Sequence, residues 1–334
     1  MRVGIVGSGF MAAVHLNAWL RTDAQVVGLI SLDPPSAERL AAQANARIYP
    51  TLDALLDYVD VIDICTPTYL HHEHVLAAAA KGKHIICEKP LARTIQQGIE
   101  MIRVCRESGV KLLIAHVVRF FPEYASAKEI VERGDIGRVA VMRLTRCSFK
   151  PGGNQPNSWF HDAEKSGGMM LDLMVHDFDY ARWIAGDVES VYAQSVSGKD
   201  PSAPLDYGLV TLKHRNGALS NVEGSWAYPA PLFRTALEIA GSEGLIEHPT
   251  GSSTPLEIYF HKKADAQADI AVPTSPLLED PYTAEIRHFI QVLEHGAAPR
   301  VTAEDALAAL AIGMAAIESA RTGQPVTPVT NGDI

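Results

Sequence analysis

The chain opens with the stretch "VGIVGSGFMAAVH" (residues 3–15), which places small residues at Gly7, Gly9 and Ala12 directly after an apolar run. In this G-x-G-x-x-A pattern the first glycine permits a tight turn and the second lets the backbone approach a pyrophosphate. The alanine allows the following helix to pack closely on the strand. The helix N-terminus adds free N–H groups and a partial positive charge that favour phosphate. Glycine-rich turns also occur without ligands, but the strand–turn–helix context predicts a dinucleotide-binding turn.

Short β-branched runs alternate with amphipathic stretches over the first third of the chain. The predicted strands cover residues 2–6, 24–31, 59–65, 83–87 and 110–115. The predicted helices cover residues 11–20, 36–45, 51–57, 71–81 and 94–108. Alternation of this length is typical of an α/β fold with a doubly wound parallel sheet and right-handed crossovers.

The pattern changes after about residue 116. Strands are predicted at residues 138–149, 188–198, 205–214, 217–228, 234–240, 244–249 and 255–260. Helices are predicted at about residues 122–133, 167–185, 280–295 and 303–322. Successive strands without intervening helices predict a mostly antiparallel sheet and an α+β domain. We therefore expect a first domain with the parallel sheet at residues 1–119 and a second domain at residues 120–334.

Composition excludes several classes of function. The 334 residues have a formal net charge of −10, which argues against nucleic acid as a partner because phosphate binding needs clustered Lys and Arg. No apolar stretch approaches the ~20 residues that span a bilayer, and the N-terminus begins a strand at once rather than a leader. The four cysteines are scattered without a CxxC pair, which indicates reduced thiols. A cytoplasmic protein is expected.

The end of the second predicted strand bears on the choice between NAD and NADP. An acidic residue about 20 residues beyond the glycine motif usually binds the ribose 2′-hydroxyl of NAD. Ser31 stands at that place, and Asp33 follows two positions later. Serine can bond a hydroxyl or a phosphate oxygen, and Leu32 rather than arginine follows it, so NAD is favoured with NADP as the alternative. Asp33 is equally well explained as a turn residue before Pro34.

A lysine stands at the carboxyl end of another predicted strand, in "KHIICEKPLA" (residues 83–92). A lone lysine at a strand end is usually a solvated surface residue. Here the strand directs Lys89 toward the edge where ligands of open parallel sheets gather, and Pro90 stiffens the turn. Next to a nicotinamide, its charge would stabilise an oxygen that gains alkoxide character. The isomer of the Lys89–Pro90 bond is left open by the sequence.

The stretch "GGMMLDLMVHDFDYARW" (residues 167–183) predicts one apolar helix, at about residues 168–184, with a polar pair on it. Asp172 and His176 are spaced i and i+4 and would share a face of such a helix. One interpretation is a core histidine satisfied by a neighbouring carboxylate such as Asp177 or Asp179. The other is proton transfer to or from a substrate hydroxyl, because imidazole titrates nearest neutrality.

In this order and spacing, the motifs resemble the Gfo/Idh/MocA family, which includes glucose-fructose oxidoreductase and inositol dehydrogenases. The resemblance covers the glycine turn, "EKP", the D-x-x-x-H-D stretch and the closing "ALAALAIGMAAIESARTGQPV". It implies a Rossmann domain, a C-terminal domain with a large open sheet, and a homodimer or homotetramer. The resemblance also implies residue roles. The implied catalytic group is Lys89, Asp172 and His176; the implied pyrophosphate contacts are Gly7, Ser8, Gly9, Phe10 and Met11; and the implied contacts along the nicotinamide half are Thr66, Pro67, His71 and Glu88.

Three further features have alternative interpretations. "LHHEHV" (residues 70–75) looks metal-like, but its spacing does not bring three rings together, and a helix start beside the cofactor is the preferred interpretation. In "SWFHD" (residues 158–162), Trp159 and His161 either line the substrate pocket or serve only packing. Arg119 either contacts the cofactor or substrate or closes the domain interface.

The predicted activity is reversible oxidation of a hydroxyl on a sugar, inositol or related polyol, with hydride transferred to a nicotinamide. His176 takes the hydroxyl proton, Lys89 stabilises the alkoxide, and Asp172 orients the substrate or the imidazole. Three alternatives stay open: a glycoside-cleaving enzyme that uses NAD transiently, a non-catalytic nucleotide-dependent sensor, and a dehydrogenase of trans-dihydrodiols.

Overall fold

The computed structural model describes residues 1–153, 158–198, 206–248 and 280–329. These residues form two compact units, one made of residues 1–122 with 280–307 and the other of residues 123–248 with 308–329. The strands are β1 (Arg2–Val6), β2 (Gln25–Ile30), β3 (Arg47–Ile48), β4 (Val61–Ile64), β5 (His84–Glu88), β6 (Leu112–Ala115), β7 (Val139–Ser148), β8 (Val188–Val196), β9 (Tyr207–His214), β10 (Leu219–Ser225), β11 (Phe233–Gly241) and β12 (Leu245–His248). The α-helices are α1 (Phe10–Trp19), α2 (Pro34–Ala44), α3 (Leu52–Leu56), α4 (His71–Ala80), α5 (Ile95–Glu107), α6 (Pro122–Glu132), α7 (Ala163–Ser166), α8 (Gly168–Asp172), α9 (Val175–Ala185), α10 (Pro281–His295) and α11 (Ala303–Thr322).

The first unit is built on a six-stranded parallel sheet in the order β3-β2-β1-β4-β5-β6. All four residues of β4 are buried, as expected for a central strand covered by helices on both faces. The strand order reverses beside β1, and ligands of such sheets bind outside the carboxyl ends of the strands at that point. The predicted doubly wound parallel sheet is confirmed.

Helix α10 returns to the first unit, where it packs against α1. Its buried side chains include Ile286, Phe289 and Val292, which recur at helical spacing and form its apolar stripe. The predicted division at residues 119/120 places this segment in the second domain instead. The sequence did not indicate that α10 packs on the first unit, because an apolar stripe on a helix does not specify which hydrophobic core it joins.

The second unit contains a mixed sheet in the order β12-β11-β7-β10-β9-β8. The β7–β10 pair is parallel and the other pairs are antiparallel, which confirms the predicted mostly antiparallel sheet. Burial alternates along β9, so one face of the sheet packs under helices and the other faces outward. The predicted strand at 255–260 lies outside the described residues.

The single helix predicted at about residues 168–184 is wrong, because the structure has two helices, α8 and α9. The Met174 N–H donates to the carbonyl of Met169, five residues back, at 3.1 Å, and the Phe178 N–H then donates to Met174 at 3.0 Å. This slip of the hydrogen-bond ladder places Asp172 at the end of α8 and His176 in the first turn of α9. The i, i+4 geometry of one continuous helix therefore does not apply to them.

Within the described parts of the chain, none of the helices has both the length and the apolar character needed to cross a membrane.

Candidate active site

The turn after β1 has the geometry that the glycine pattern predicts. Gly7 has φ +108°, and a Cβ there would lie 2.6 Å from the carbonyl oxygen of Cys65, so glycine is required. A Cβ on Gly9, at the start of α1, would meet nothing within 4 Å, which leaves open space in front of its backbone. Ala12 is fully buried, as close helix–strand packing requires. The open backbone and the unpaired N–H groups of the first turn of α1 fit a pyrophosphate.

The neighbouring residues of this turn are tied to the end of β2. The hydroxyl oxygens of Ser8 and Ser31 lie 2.6 Å apart, and Ser31 Oγ also accepts from the Asp33 N–H at 3.0 Å. Asp33 precedes α2 as its N-cap residue without a side-chain capping bond. Phe10 and Met11 lie in the first turn of α1 and are partly exposed. Ser31 therefore stands beside the glycine turn, where the cofactor-selecting residue was predicted.

Lys89 and its neighbours lie at the same edge of the first sheet. Lys89 directly follows β5 and is partly exposed, and the Lys89–Pro90 peptide bond is cis. The Lys89 N–H donates to Glu88 Oε2 at 3.0 Å. Strands β1, β4 and β5 are adjacent, so the residues after them, including Thr66 and Pro67 after β4, share one edge.

His71 links two loops of this edge. Its Nδ1 lies 2.9 Å from the carbonyl oxygen of Pro90, and its Nε2 lies 3.0 Å from that of Thr66. The side chain is fully buried, and this burial lowers its pKa despite the two carbonyl contacts. His72 Nε2 lies 2.8 Å from Glu100 Oε2, and His74 Nδ1 lies 3.3 Å from the Thr66 hydroxyl, so the three rings do not converge on one point. The ring of His71 thus holds the turn after β5 against the loop after β4.

Arg119 is 1% exposed, and its side chain bonds to the returning segment of the first unit. Its Nη1 donates to the carbonyl of Arg300 at 2.8 Å and to Asp305 Oδ2 at 3.1 Å. These bonds connect the end of the parallel sheet to residues 280–307. The predicted contact of Arg119 with a cofactor or substrate stays a prediction.

Asp172 and His176 occur at the junction between α8 and α9 in the second unit. Asp172 is buried, whereas His176 is partly exposed. Between them, Met174 packs against Gly208 and Gly224, which are directly paired across β9 and β10. A Cβ on Gly224 would lie 2.3 Å from Met174 Cγ. The paired glycines therefore let the junction between α8 and α9 approach the sheet. This packing sets the distance of Asp172 and His176 from the sheet.

The residue after His176 is committed to a structural contact. Both oxygens of Asp177 accept from Arg146, at 2.7 and 3.0 Å, and both side chains are buried. This pair joins α9 to β7. Asp177 is therefore an unsuitable partner for a core His176, which weakens one form of the purely structural interpretation.

Trp159 and His161 lie in a 3₁₀ helix, Trp159–His161, in the second unit. The ring of Trp159 stacks on Phe160 with centroids 4.0 Å apart. Both predicted residues are partly exposed. Their predicted contact with substrate stays a prediction.

The first unit also contains a buried polar cluster that was not predicted from the sequence, formed by His15, Trp19, Asp63 and Glu88. His15 Nδ1 lies 3.0 and 3.1 Å from the two carboxylate oxygens of Asp63, and its Nε2 lies 3.1 Å from Glu88 Oε1. Trp19 Nε1–H donates to Asp63 Oδ2 at 2.7 Å. A usable signal was present, because a histidine in "FMAAVHLNAW" and an aspartate in "VIDI" interrupt otherwise apolar elements. Buried polar groups of this kind need partners.

A parallel sheet of this order, with a glycine turn after its first strand and a lysine at the same edge, defines a dinucleotide-dependent enzyme domain. Residues 1–116 match the model of an oxidoreductase family with an NAD-binding Rossmann fold. Residues 124–247 match the GFO/IDH/MocA C-terminal domain.

Individual relatives agree with these matches. The uncharacterized oxidoreductase YrbE of Bacillus subtilis is 30% identical, over 97% of this chain and 95% of that protein. Myo-inositol 2-dehydrogenase of Thermotoga maritima is 28% identical, over 96% of each chain. A solved structure of levoglucosan dehydrogenase in complex with NADH has a TM-score of 0.84 and 25% identity, covering 99% of each chain. The chain belongs to the Gfo/Idh/MocA family of oxidoreductases, and its first unit contains an NAD-binding Rossmann domain.

Proposed function

We propose that the protein is an NAD-dependent dehydrogenase that oxidises a hydroxyl-bearing carbon of a sugar, an inositol or a related polyol, or reduces the corresponding ketone. The main observation behind this proposal is the position of Lys89, which follows β5 at the same sheet edge as the Gly7–Gly9 turn after β1. The named relatives support the substrate class, since they include an inositol dehydrogenase and a levoglucosan dehydrogenase.

Each proposed role follows from the chemistry of a side chain. Bound NAD supplies the hydride acceptor, its nicotinamide ring. The ammonium group of Lys89 stabilises the substrate oxygen as that oxygen gains negative charge. The imidazole of His176 accepts the hydroxyl proton and returns it in the reverse reaction. Asp172 orients the imidazole or a neighbouring substrate hydroxyl, and the two predicted rim residues, Trp159 and His161, contact the substrate.

The structure offers specific support for His176 as the proton-transfer group. It is partly exposed in a segment whose neighbours from Met169 to Tyr180 are otherwise buried. Its sequence neighbour Asp177 is occupied by Arg146. A partly exposed imidazole in an otherwise buried segment can exchange a proton with a bound hydroxyl.

The substrate class is tested by incubating the purified chain with inositols, aldoses and linear polyols, each with NAD or NADP, and following the absorbance of the reduced cofactor. We expect net reduction of NAD with at least one polyol. Cleavage of aryl glycosides without accumulation of reduced cofactor would replace the proposal with the glycoside-cleaving alternative. Cofactor binding without any turnover would favour the sensor.

We also propose that the chain forms a homodimer or homotetramer through the outward face of the second sheet. Tyr192, Leu209 and Leu219 are all exposed, and strand register places them on that face. Exposed apolar side chains grouped on one sheet face favour burial between subunits. Light scattering of the wild type and of Leu209→Arg tests this: the wild type should be oligomeric and the variant smaller.

A cytoplasmic location is part of the same proposal. All four cysteines are free and buried, which suits a reducing compartment.

A further inference from the structure

Both ring nitrogens of the buried His15 side chain lie within hydrogen-bond distance of a carboxyl group. Each ring nitrogen of His15 faces a carboxylate oxygen, and a nitrogen must bear hydrogen to attract a carboxylate. A neutral imidazole has one N–H, so His15 donates to the carboxylates of Asp63 and Glu88 at once only in the imidazolium form. Burial opposes this charge, but the charge and hydrogen bond of Asp63 outweigh it and hold the pKa of His15 well above its ordinary value.

The cluster leads directly to the turn that contains Lys89. Glu88 Oε1 contacts His15, while Glu88 Oε2 accepts the backbone N–H of Lys89. Asp63 anchors the other side of the imidazole and is itself held by Trp19 Nε1–H. An unbroken series of hydrogen bonds therefore runs from the core of the Rossmann unit to the peptide group of Lys89.

We propose that His15 is a positioning residue for Lys89: by donating to Asp63 and Glu88 at once, it fixes the Glu88 carboxylate that holds the Lys89 backbone. The effect on turnover rests on the proposed function, because Lys89 matters for rate only if it contacts substrate. The effect on the Lys89 backbone does not depend on that function. Small errors in the position of a reacting group can cost up to about 100-fold in rate.

The remaining ionisable groups around His15 fit this role. Glu285 on α10 is fully buried, and neither carboxyl oxygen has a hydrogen-bond partner among the described residues. Burial raises the pKa of Glu285 well above its ordinary value; His15 opposes this, and Glu88 and Asp63 add to it. A protonated Glu285 leaves one cation facing two anions, so the charge of His15 is not shared with a third carboxylate.

A metal ion explains the cluster less well than a positioning imidazolium. Ligand atoms of His15, Asp63 and Cys65 lie within 4.8 Å of one another. However, the Asp63 oxygens already accept from His15, Trp19 and the Cys65 thiol. Burial raises the pKa of that thiol to about 12, so it stays protonated as a donor. Internal hydrogen bonds therefore satisfy the groups that a cation would need.

The first test compares three variants of the full chain. His15→Gln keeps an uncharged side chain with an amide NH2 donor, and His15→Leu removes every side-chain donor. His214→Gln is the matched control, because His214 is also fully buried with a partner at each ring nitrogen but lies in the other unit. We expect kcat to fall in the order wild type, His15→Gln, His15→Leu, with the last lowered by about 10- to 100-fold. The dissociation constant for NAD should change little. Equal kcat in the wild type and His15→Leu, or losses that follow only the free energy of unfolding, would overturn the proposal.

The second test needs no turnover. The Lys89 amide signal is observed in protein labelled with 15N-lysine and is assigned by its loss in Lys89→Arg. Its exchange with solvent deuterium should be at least about tenfold faster in His15→Leu than in the wild type, and unchanged in His214→Gln. Unchanged exchange in His15→Leu would overturn the inference. If exchange changes while no polyol is oxidised by the wild type, the proposed function fails and the positioning of Lys89 by His15 stands.

A pH series with Asp63→Asn completes the design. The neutral amide stabilises the imidazolium less, so the alkaline fall in kcat should move to lower pH than in the wild type. The groups facing His15 from other elements are Asp63, Cys65, Glu88 and Glu285, and only the first is changed. An unchanged alkaline limb would contradict the required imidazolium.

Discussion

Arg146 and Asp177 form a fully buried ion pair in the second unit, with two hydrogen bonds of 2.7 and 3.0 Å that join β7 to the first turn of α9. Removing one partner leaves the other charge buried without compensation. We expect Arg146→Met to lower the free energy of unfolding by ~3–5 kcal/mol, measured by urea denaturation.

The exposed pair of Arg133 and Asp135 is the matched control. Asp135→Asn should cost at most ~1 kcal/mol, because solvent screens an exposed pair. A similar loss in both variants would show that burial does not determine the contribution of the Arg146–Asp177 pair.

Lys89→Ala and His176→Ala should each lower turnover by roughly 100-fold or more, the usual scale for a positioned acid–base group. The dissociation constant for NAD, measured by titration, should change little in His176→Ala. Lys81→Ala is the control, since Lys81 is an exposed lysine of the first unit paired with Asp53 and Asp57. Near-wild-type turnover in both Lys89→Ala and His176→Ala would contradict the catalytic roles proposed for these two residues.

Gly224→Ala should displace the junction of α8 and α9, because its Cβ would meet Met174 Cγ at 2.3 Å. We expect a loss of ~1–3 kcal/mol in the free energy of unfolding, together with lower turnover, since the junction bears Asp172 and His176. Met174→Ala removes the clashing atoms, so the double variant should lose less than the sum of the two single losses. Additive losses would contradict the proposed close packing.

Leu32→Arg should raise kcat/KM for NADP relative to NAD. Leu32 is 97% exposed beside Ser31, so an arginine there places a cation where a 2′-phosphate would lie. We expect the ratio of kcat/KM for NADP to kcat/KM for NAD to rise about tenfold, which is close to the effect of one ion pair at a partly exposed site. Leu20→Arg, an exposed position on the same unit, should leave the ratio unchanged. An equal response of the two variants would show that residue 32 does not face the cofactor.

Glu285 should make stability fall with rising pH. Burial raises the pKa of Glu285 in the folded protein well above 4.5. The contribution of Glu285 to the free energy of unfolding is therefore fully present below its pKa in the unfolded chain. This contribution is lost as the pH rises through its pKa in the folded protein. Glu285→Gln keeps the shape without the ionisation and should reduce the slope of unfolding free energy against pH above about pH 5. Glu294→Gln, an exposed change on the same helix, should retain the wild-type slope. A wild-type slope in Glu285→Gln would show that this carboxyl does not ionise in that range.

Several features were predictable because they depend on residues close together in the chain. The strands and helices of the Rossmann unit agree with the predicted bounds to within a few residues, since buried β-branched runs and amphipathic periodicity are local signals. The two-residue strand β3 escaped prediction because Arg47 and Ile48 are both exposed and have no periodic pattern. The position of Lys89 at the same sheet edge as the glycine turn also followed from local motifs, because parallel strands present their carboxyl ends at one edge.

Features that depend on distant contacts were not predictable. The break between α8 and α9 is set where Met174 meets Gly208 and Gly224, and nothing within residues 167–183 indicates it. In the cluster around His15, Asp63 is 48 positions and Glu88 is 73 positions away from His15 in the chain. Polar residues in apolar segments indicated that His15 and Asp63 need partners, but only the tertiary structure shows that His15, Asp63 and Glu88 are partners of one another.

The sequence by itself therefore determined the doubly wound sheet, the glycine turn after β1, the lysine after β5 and the family. These follow from local periodicity and from motifs whose spacing a strand or helix converts directly into geometry. Only the tertiary structure decided that α10 completes the first unit, that Asp172 and His176 belong to separate helices, and that His15 lies between Asp63 and Glu88. Those outcomes depend on which distant parts of the chain pack together and on which charged groups are buried next to one another. The cost of removing a charged group from water depends on these neighbours, which no single segment of the sequence specifies.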